Sequence, residues 1–248
     1  MNFTSKTIIV TGASSGIGAA AARLLAEAGA NLVLAARREA MLEDVRDGLG
    51  ENAAKAVVLA GDVSDEAYNK ALVDRAIETF GGLEGAFNNA GIQGELSPTA
   101  ECSEENWDRI TGINLKGVWL CMKFEIAQML KQGGGAIVNM GSNSWWEAGG
   151  GMPVYTTAKA AVHGMTRSFA RDLGPHRIRV NTVVPGWIMT ERQKELWVTD
   201  AAIDKHRDRQ CLKDLIDPVY VARMVLFLAS DDAAMCTANN YMVEAGSI

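Results

Sequence analysis

Tyr155 and Lys159 stand four residues apart in a stretch of helical spacing, so their side chains share one face, and Ser142 lies thirteen residues before the tyrosine. A phenol, an ammonium and a hydroxyl so arranged can move a proton to or from a substrate oxygen. A free tyrosine titrates at about 10, and bringing it to about 7 takes roughly 4 kcal/mol of preference for the phenolate. One ammonium about 4 Å away supplies roughly 4 kcal/mol at an effective dielectric of about 20. Lys159 is therefore expected to lower Tyr155, while the Ser142 hydroxyl, able to donate and accept, holds the substrate oxygen beside it. Each residue alone has a plainer use: a serine caps a helix, a tyrosine packs in a core, a lysine sits in solvent. Their joint occurrence downstream of a glycine-rich turn favours the chemistry.

That turn reads Thr11-Gly12-Ala13-Ser14-Ser15-Gly16-Ile17-Gly18, between an apolar run and a helical one. Its GxxxGxG spacing permits a tight turn and close backbone approach, and the helix N-terminus offers free N–H groups to a pyrophosphate. A nicotinamide dinucleotide bound there would also add its oxidised positive charge to that of Lys159. An NAD site wants a carboxylate at the end of the second strand for the ribose 2′-OH. Here that end reads Ala35-Ala36-Arg37-Arg38. An arginine fork pairs with a 2′-phosphate that an acid would repel, so NADP(H) is expected over NAD(H), with Ser15 supplying no further base. Asp62, followed by Val63, is placed for an adenine amino group or is simply a loop acid before the next helix. Asn89-Ala90-Gly91 closes the fourth strand at the carboxyl edge, where ligands of open α/β sheets sit.

Stepping these groups into place takes alternating elements. Short Val- and Ile-rich runs predict strands at 7–10, 31–36, 56–59, 85–88, 136–140, 179–183 and 241–243, with the little polar alternation expected of strands buried on both faces. Helices are predicted at 17–28, 39–49, 65–80, 103–130 in one or two pieces, 154–173 and 218–229. Gly29 is placed to end the first, and Asp65 and Ser103 to cap theirs. Strict βα alternation implies a parallel sheet with right-handed crossovers and helices on both faces. The long segment 185–217 breaks the rhythm and is read as a substrate lid.

With its glycine turn, Asn-Asn-Ala-Gly, Ser142 and Tyr155-x-x-x-Lys159 in this order, the chain resembles the short-chain dehydrogenase/reductase family over essentially its whole length. Pro185-Gly186, followed by Ile188 and Thr190, is similar to the family's nicotinamide-side segment. The resemblance implies one Rossmann-type α/β domain over 1–248 and hydride transfer between an alcohol and a carbonyl. It also implies a tetrad of Asn114, Ser142, Tyr155 and Lys159, with Asn114 acting through its backbone and a water relay to Lys159. From Gly141 onward the chain is similar to the aldose 1-dehydrogenase branch, which includes enzymes oxidising xylose to its lactone. Gly141-Ser142-Asn143-Ser144-Trp145, Thr190-Glu191-Arg192-Gln193 and Gln210-Cys211-Leu212-Lys213 carry that likeness. Two stretches depart from it: Ala36-Arg37 stands where several such enzymes carry an acid, and Val243-Glu244-Ala245-Gly246 replaces the common Val-Asp-Gly-Gly. Indoles stack on sugar C–H faces while amides bond hydroxyls, which makes Asn143, Trp145, Trp187 and Gln193 the expected substrate contacts; the tryptophans serve equally to close a lid core. A ketoreductase of small or hydrophobic ketones is the alternative. A non-catalytic NADPH-binding regulator is a third, against which the intact Ser142, Tyr155 and Lys159 argue.

The remaining composition narrows the partners. A net charge of −6 with scattered basic residues gives no polyanion-binding tract, so nucleic acid is not expected. Four widely spaced cysteines without CxxC, and three unclustered histidines, predict reduced thiols and no metal. Neither a secretory signal nor an apolar run long enough to span a membrane is seen, and a cytoplasmic location is expected. The apolar surplus of 103–130, including Trp107 and Trp119, together with the family resemblance, implies a homo-oligomer, a tetramer or dimer.

Overall fold

Side chains along a strand alternate between faces, and here both faces are apolar. Ile8 and Val10 join one core while Ile9 joins the other; Leu32 and Leu34 likewise oppose Val33 and Ala35. Such strands must be covered on both sides. The computed structural model describes residues 1–247. Its strands are β1 (Thr7–Thr11), β2 (Asn31–Ala36), β3 (Ala56–Ala60), β4 (Gly85–Asn88), β5 (Gly135–Met140), β6 (Ile178–Pro185) and β7 (Asn240–Val243). They form one parallel sheet in the order β3-β2-β1-β4-β5-β6-β7, a doubly wound Rossmann-type α/β arrangement whose order reverses between β1 and β4.

Helices α1 (Gly16–Glu27), α2 (Glu39–Asp47) and α9 (Pro218–Ala229) pack one face through Leu25, Leu42 and Val225. On the other lie α3 (Glu66–Phe80), α5 (Val118–Gln132) and α6 (Pro153–Leu173), packing through Leu72, Met122 and Ala170. Asp65 and Ser103 cap their helices as expected, accepting from the Ala67 and Asn106 amides. The 103–130 stretch resolves into α4 (Glu104–Thr111) and α5, joined by a π-helical turn over Gly112–Gly117.

Between β6 and α9 the chain builds α7 (Glu191–Leu196) and α8 (Asp200–Arg209), capped by Thr190 and Thr199. The far end of this segment is tied to the C-terminal strap. Gln210 bridges Ser247 antiparallel, and the Cys211 amide donates to the Gly246 carbonyl at 2.9 Å. No helix among the described residues is long and apolar enough to cross a membrane.

Candidate active site

The glycine turn leaves β1 at the carboxyl edge of the sheet, beside the strand-order reversal. Gly12 has φ +64, and a Cβ there would lie 2.6 Å from the Asn89 amide nitrogen; one on Gly18 would collide with the Gly12 carbonyl. Asn89 explains the crowding: its Nδ2 donates to the carbonyls of Thr11 and Gly12, at 3.0 and 3.1 Å. The Thr11 hydroxyl accepts from the amides of Asn89 and Ala90, at 3.0 and 3.1 Å. Thr11 thus organises the turn, and sequence reasoning missed it. The available signal was a hydroxyl ending an otherwise apolar strand. Ser15 begins α1 without a side-chain cap bond, unlike Asp65 and Ser103, so the first-turn amides of Gly16, Ile17 and Gly18 are left without a capping side chain. This backbone fits a diphosphate.

Arg37 lines a cleft of about 610 Å³ together with Asp62, Ser64, Ile92 and Arg192. Arg38 turns the other way, its Nη2 donating to the Ser14 hydroxyl at 3.3 Å. The end of β2 therefore presents one guanidinium to the glycine turn, one to the cleft, and no carboxylate. Asp62 Oδ1 accepts from the Ser64 amide and hydroxyl, at 2.9 and 2.8 Å. It is thus a loop-forming acid that also lines the cleft. Val63 is buried beneath the π turn, close to Gly117.

The expected tetrad converges below this cleft. A Cβ on Gly91 would lie 3.1 Å from Asn114 Oδ1 and 3.5 Å from Lys159 Nζ, which places all three side by side. Asn114 is clamped to the loop after β4: its Oδ1 accepts from the Ile92 amide at 2.8 Å and its Nδ2 donates to the Ile92 carbonyl at 2.6 Å. The π turn carries this residue; such turns recur at functional sites. Lys159 is buried and donates to the Met140 carbonyl at 2.8 Å, and burial lowers it to about 8. Its ammonium lies 5.9 Å from the Tyr155 ring centroid. Burial raises Tyr155 above the ordinary phenol range, and the Ser142 hydroxyl opposes that through a hydrogen bond. The expectation combines Lys159 with the oxidised nicotinamide's positive charge; among the chain's own groups, desolvation of the phenolate is the largest influence. Ser142 itself caps the following turn, accepting from the Ser144 amide at 3.1 Å.

Around Ser142 the expected substrate residues are tied in pairs. Asn143 donates to Glu147 at 2.5 Å, and Glu147 faces Arg209 of α8 at 3.4 Å. Trp187 donates to Gln193 at 2.9 Å and packs edge-on against His206, ring centroids 4.9 Å apart. Trp145 packs edge-on against His163 of α6 at 4.8 Å, its indole N–H buried without a partner. Pro185 ends β6, Gly186 lies against Glu244, Ile188 bridges Ile216, and Thr190 stands over Gly16. The Glu147–Arg209 link was not anticipated, because it joins residues sixty-two apart with no local pattern.

A family model described as enoyl-(acyl carrier protein) reductase matches residues 12–247. A short chain dehydrogenase/reductase of Aspergillus oryzae is 37% identical, across 97% of this chain and 94% of its own. The chain belongs to the short-chain dehydrogenase/reductase family. D-xylose 1-dehydrogenase of Caulobacter vibrioides is 36% identical to this short-chain dehydrogenase/reductase, covering 97% of this chain and 95% of its own. A crystal structure of levodione reductase matches with a TM-score of 0.93 at 34% identity, over 99% of this chain and 98% of that one. As a member of this family the chain is an oxidoreductase of CH–OH groups, served by a nicotinamide cofactor.

Proposed function

We propose that this enzyme is an NADP(H)-dependent dehydrogenase whose alcohol is the C1 hydroxyl of an aldose, oxidised to the lactone. A bound oxidised nicotinamide would supply the acceptor for the hydride that leaves the substrate carbon. Everything else falls to the chain. Ser142 holds the substrate oxygen, Tyr155 takes its proton as the C–O bond becomes a carbonyl, and Lys159 stabilises the phenolate. Asn114, fixed by Ile92, is a positioning residue on the path from Lys159 to solvent. The run backwards is carbonyl reduction, with Tyr155 as acid.

One observation carries the reading above the rest: Tyr155, with Ser142 beside it and the Lys159 ammonium 5.9 Å from its ring, stands at the same carboxyl edge as the crowded glycine turn. Arg37 lining the cleft and Arg38 against Ser14 support the 2′-phosphate. Amide, carboxylate and indole groups around Ser142, and the similarity to a D-xylose 1-dehydrogenase, support the sugar. The alternative, ketone reduction, is favoured by the likeness to levodione reductase. Exposed Trp107, Trp119 and Leu130 on α4 and α5 support a homo-oligomer, and the reading includes a cytoplasmic location.

The test is turnover of purified protein with NADP⁺ or NAD⁺ against aldoses and simple alcohols, and with NADPH against ketones. Aldose oxidation with NADP⁺, lost in Tyr155→Phe, is the expected result. Ketone reduction without sugar activity selects the alternative, and preference for NAD⁺ refutes the role given to Arg37 and Arg38. Turnover unchanged in Tyr155→Phe refutes the proton-transfer assignment.

A further inference from the structure

Arg192 and Arg37 line the same cleft, from α7 and from the end of β2. Neither makes an ion pair or a side-chain hydrogen bond among the described residues, whereas Arg38, Arg109 and Arg209 all have partners. The cleft also holds the carboxylates of Asp62, Glu95 and Asp108; Asp62 accepts from Ser64 and Glu95 faces Arg109 at 3.5 Å, and none of the three pairs with Arg37 or Arg192 among the described residues. Two guanidinium groups without a direct partner on the walls of one cleft, with their N–H donors free, can take an anion between them. A lone exposed arginine is ordinarily just solvated, but this one is positioned by its helix. The capping residue of α7, Thr190, packs onto the glycine turn, its Cγ2 3.0 Å from where a Gly16 Cβ would stand. The neighbouring side chains on α7 are occupied elsewhere, Gln193 by Trp187 and Lys194 by Glu191 at 2.8 Å.

We propose that Arg192 is a phosphate-binding residue for the dinucleotide, closing the cleft from the α7 side across from Arg37. The inference rests on the cofactor reading above and adds to it a contact that couples the lid to the cofactor. A guanidinium presents a planar fork of N–H donors that matches phosphate oxygens in pairs. The phosphate is either the diphosphate bridge or the ribose 2′-phosphate, and the ligand series separates them.

Calorimetric titration of the full chain with NADP⁺, NAD⁺ and 2′,5′-ADP, at one fixed ionic strength, compares wild type with Arg192→Met and with Lys194→Met as the control on the same helix. Arg192→Met is expected to weaken NADP⁺ binding about tenfold, equivalent to about 1.4 kcal/mol, with Lys194→Met unchanged. Equal losses on NADP⁺ and NAD⁺ assign the contact to the diphosphate. A loss confined to NADP⁺ and 2′,5′-ADP assigns it to the 2′-phosphate. Unchanged affinity for all three ligands overturns the proposal, as does an equal loss in Lys194→Met, which marks a general charge effect. A wild-type protein that binds none of the three overturns the cofactor reading itself, and this inference with it.

Discussion

Replacing Lys159 with methionine should make the protein more stable and less active at once. Lys159 is only 3% exposed, and burial lowers its ammonium from 10.5 to about 8. A displacement of that size corresponds to a charged lysine that costs the folded state about 3 kcal/mol at neutral pH. Methionine fills similar volume without charge. It also removes the 2.8 Å donation to the Met140 carbonyl, a loss of about 1 kcal/mol. The net gain of about 2 kcal/mol should raise Tm by roughly 4–8 °C in a chain of this size. The effect on rate runs the other way. At 5.9 Å from the Tyr155 ring centroid, the ammonium favours a phenolate by about 3 kcal/mol at an effective dielectric of about 20, so turnover should fall on the order of 100-fold. The pH dependence supplies an internal check. Because the folded lysine titrates below the unfolded one, stability should be lowest beneath pH 8 and rise toward pH 10.5, and Lys159→Met should remove that rise. Thermal melts of both proteins across this window, with turnover measured alongside, decide the matter. A methionine variant that melts several degrees lower at pH 7 would show that the buried charge is compensated by contacts counted here as weak. Turnover kept within threefold would detach Lys159 from Tyr155 altogether.

Two further outcomes follow from groups outside the reacting centre. Glu125 is buried with Asn88 as its donor at 3.0 Å, and burial pushes its carboxyl up to about 8 from 4.5; its stabilisation should be complete below pH 4.5 and lost as pH rises through 8. Between pH 6 and 8 melts should drop by several degrees, about 2 kcal/mol, and Glu125→Gln, which keeps the acceptor for Asn88, should flatten that slope. Ala245 sits at φ +59, in the left-handed region that the glycine of the common Val-Asp-Gly-Gly end would tolerate. Ala245→Gly should relieve about 1 kcal/mol of backbone strain and raise Tm by roughly 2–4 °C, which differential scanning calorimetry would register.

The strand runs and the Asp65 and Ser103 caps were legible because each depends on residues within a few positions. Val- and Ile-rich stretches such as Thr7–Thr11, short and followed by glycine, favour a strand covered on both faces. The π turn was not legible. The apolar periodicity of 103–130 runs almost unbroken, and the extra residue is set by a bond twenty-two positions away, from Asn114 to Ile92. The lid helices were missed for a different reason. Helices α7 and α8 are short and mostly exposed, so no apolar stripe marks them, and only Thr190 and Thr199 at their starts carry a local signal.

The grouping of Ser142, Tyr155 and Lys159 was legible from spacing and order along the chain, whereas the substrate face was not. A buried lysine, an asparagine inside a helix and glycines packed against an asparagine amide each break a local preference. Such breaks survive only where another element holds them, as Met140 holds Lys159, Ile92 holds Asn114 and Asn89 holds Gly12. Trp187 and Gln193 break nothing, and Trp145 departs only in its unpartnered indole N–H. Each is as comfortable closing a lid as touching a sugar, and the bonds they make, Trp187 to Gln193 and Trp145 against His163, satisfy local packing in either role. The proposed function thus assigns specificity to residues whose local environment is neutral to function. For that reason exchanging Gln193 or Asn143 should change which alcohol is oxidised while leaving the fold and the proton transfer at Tyr155 intact.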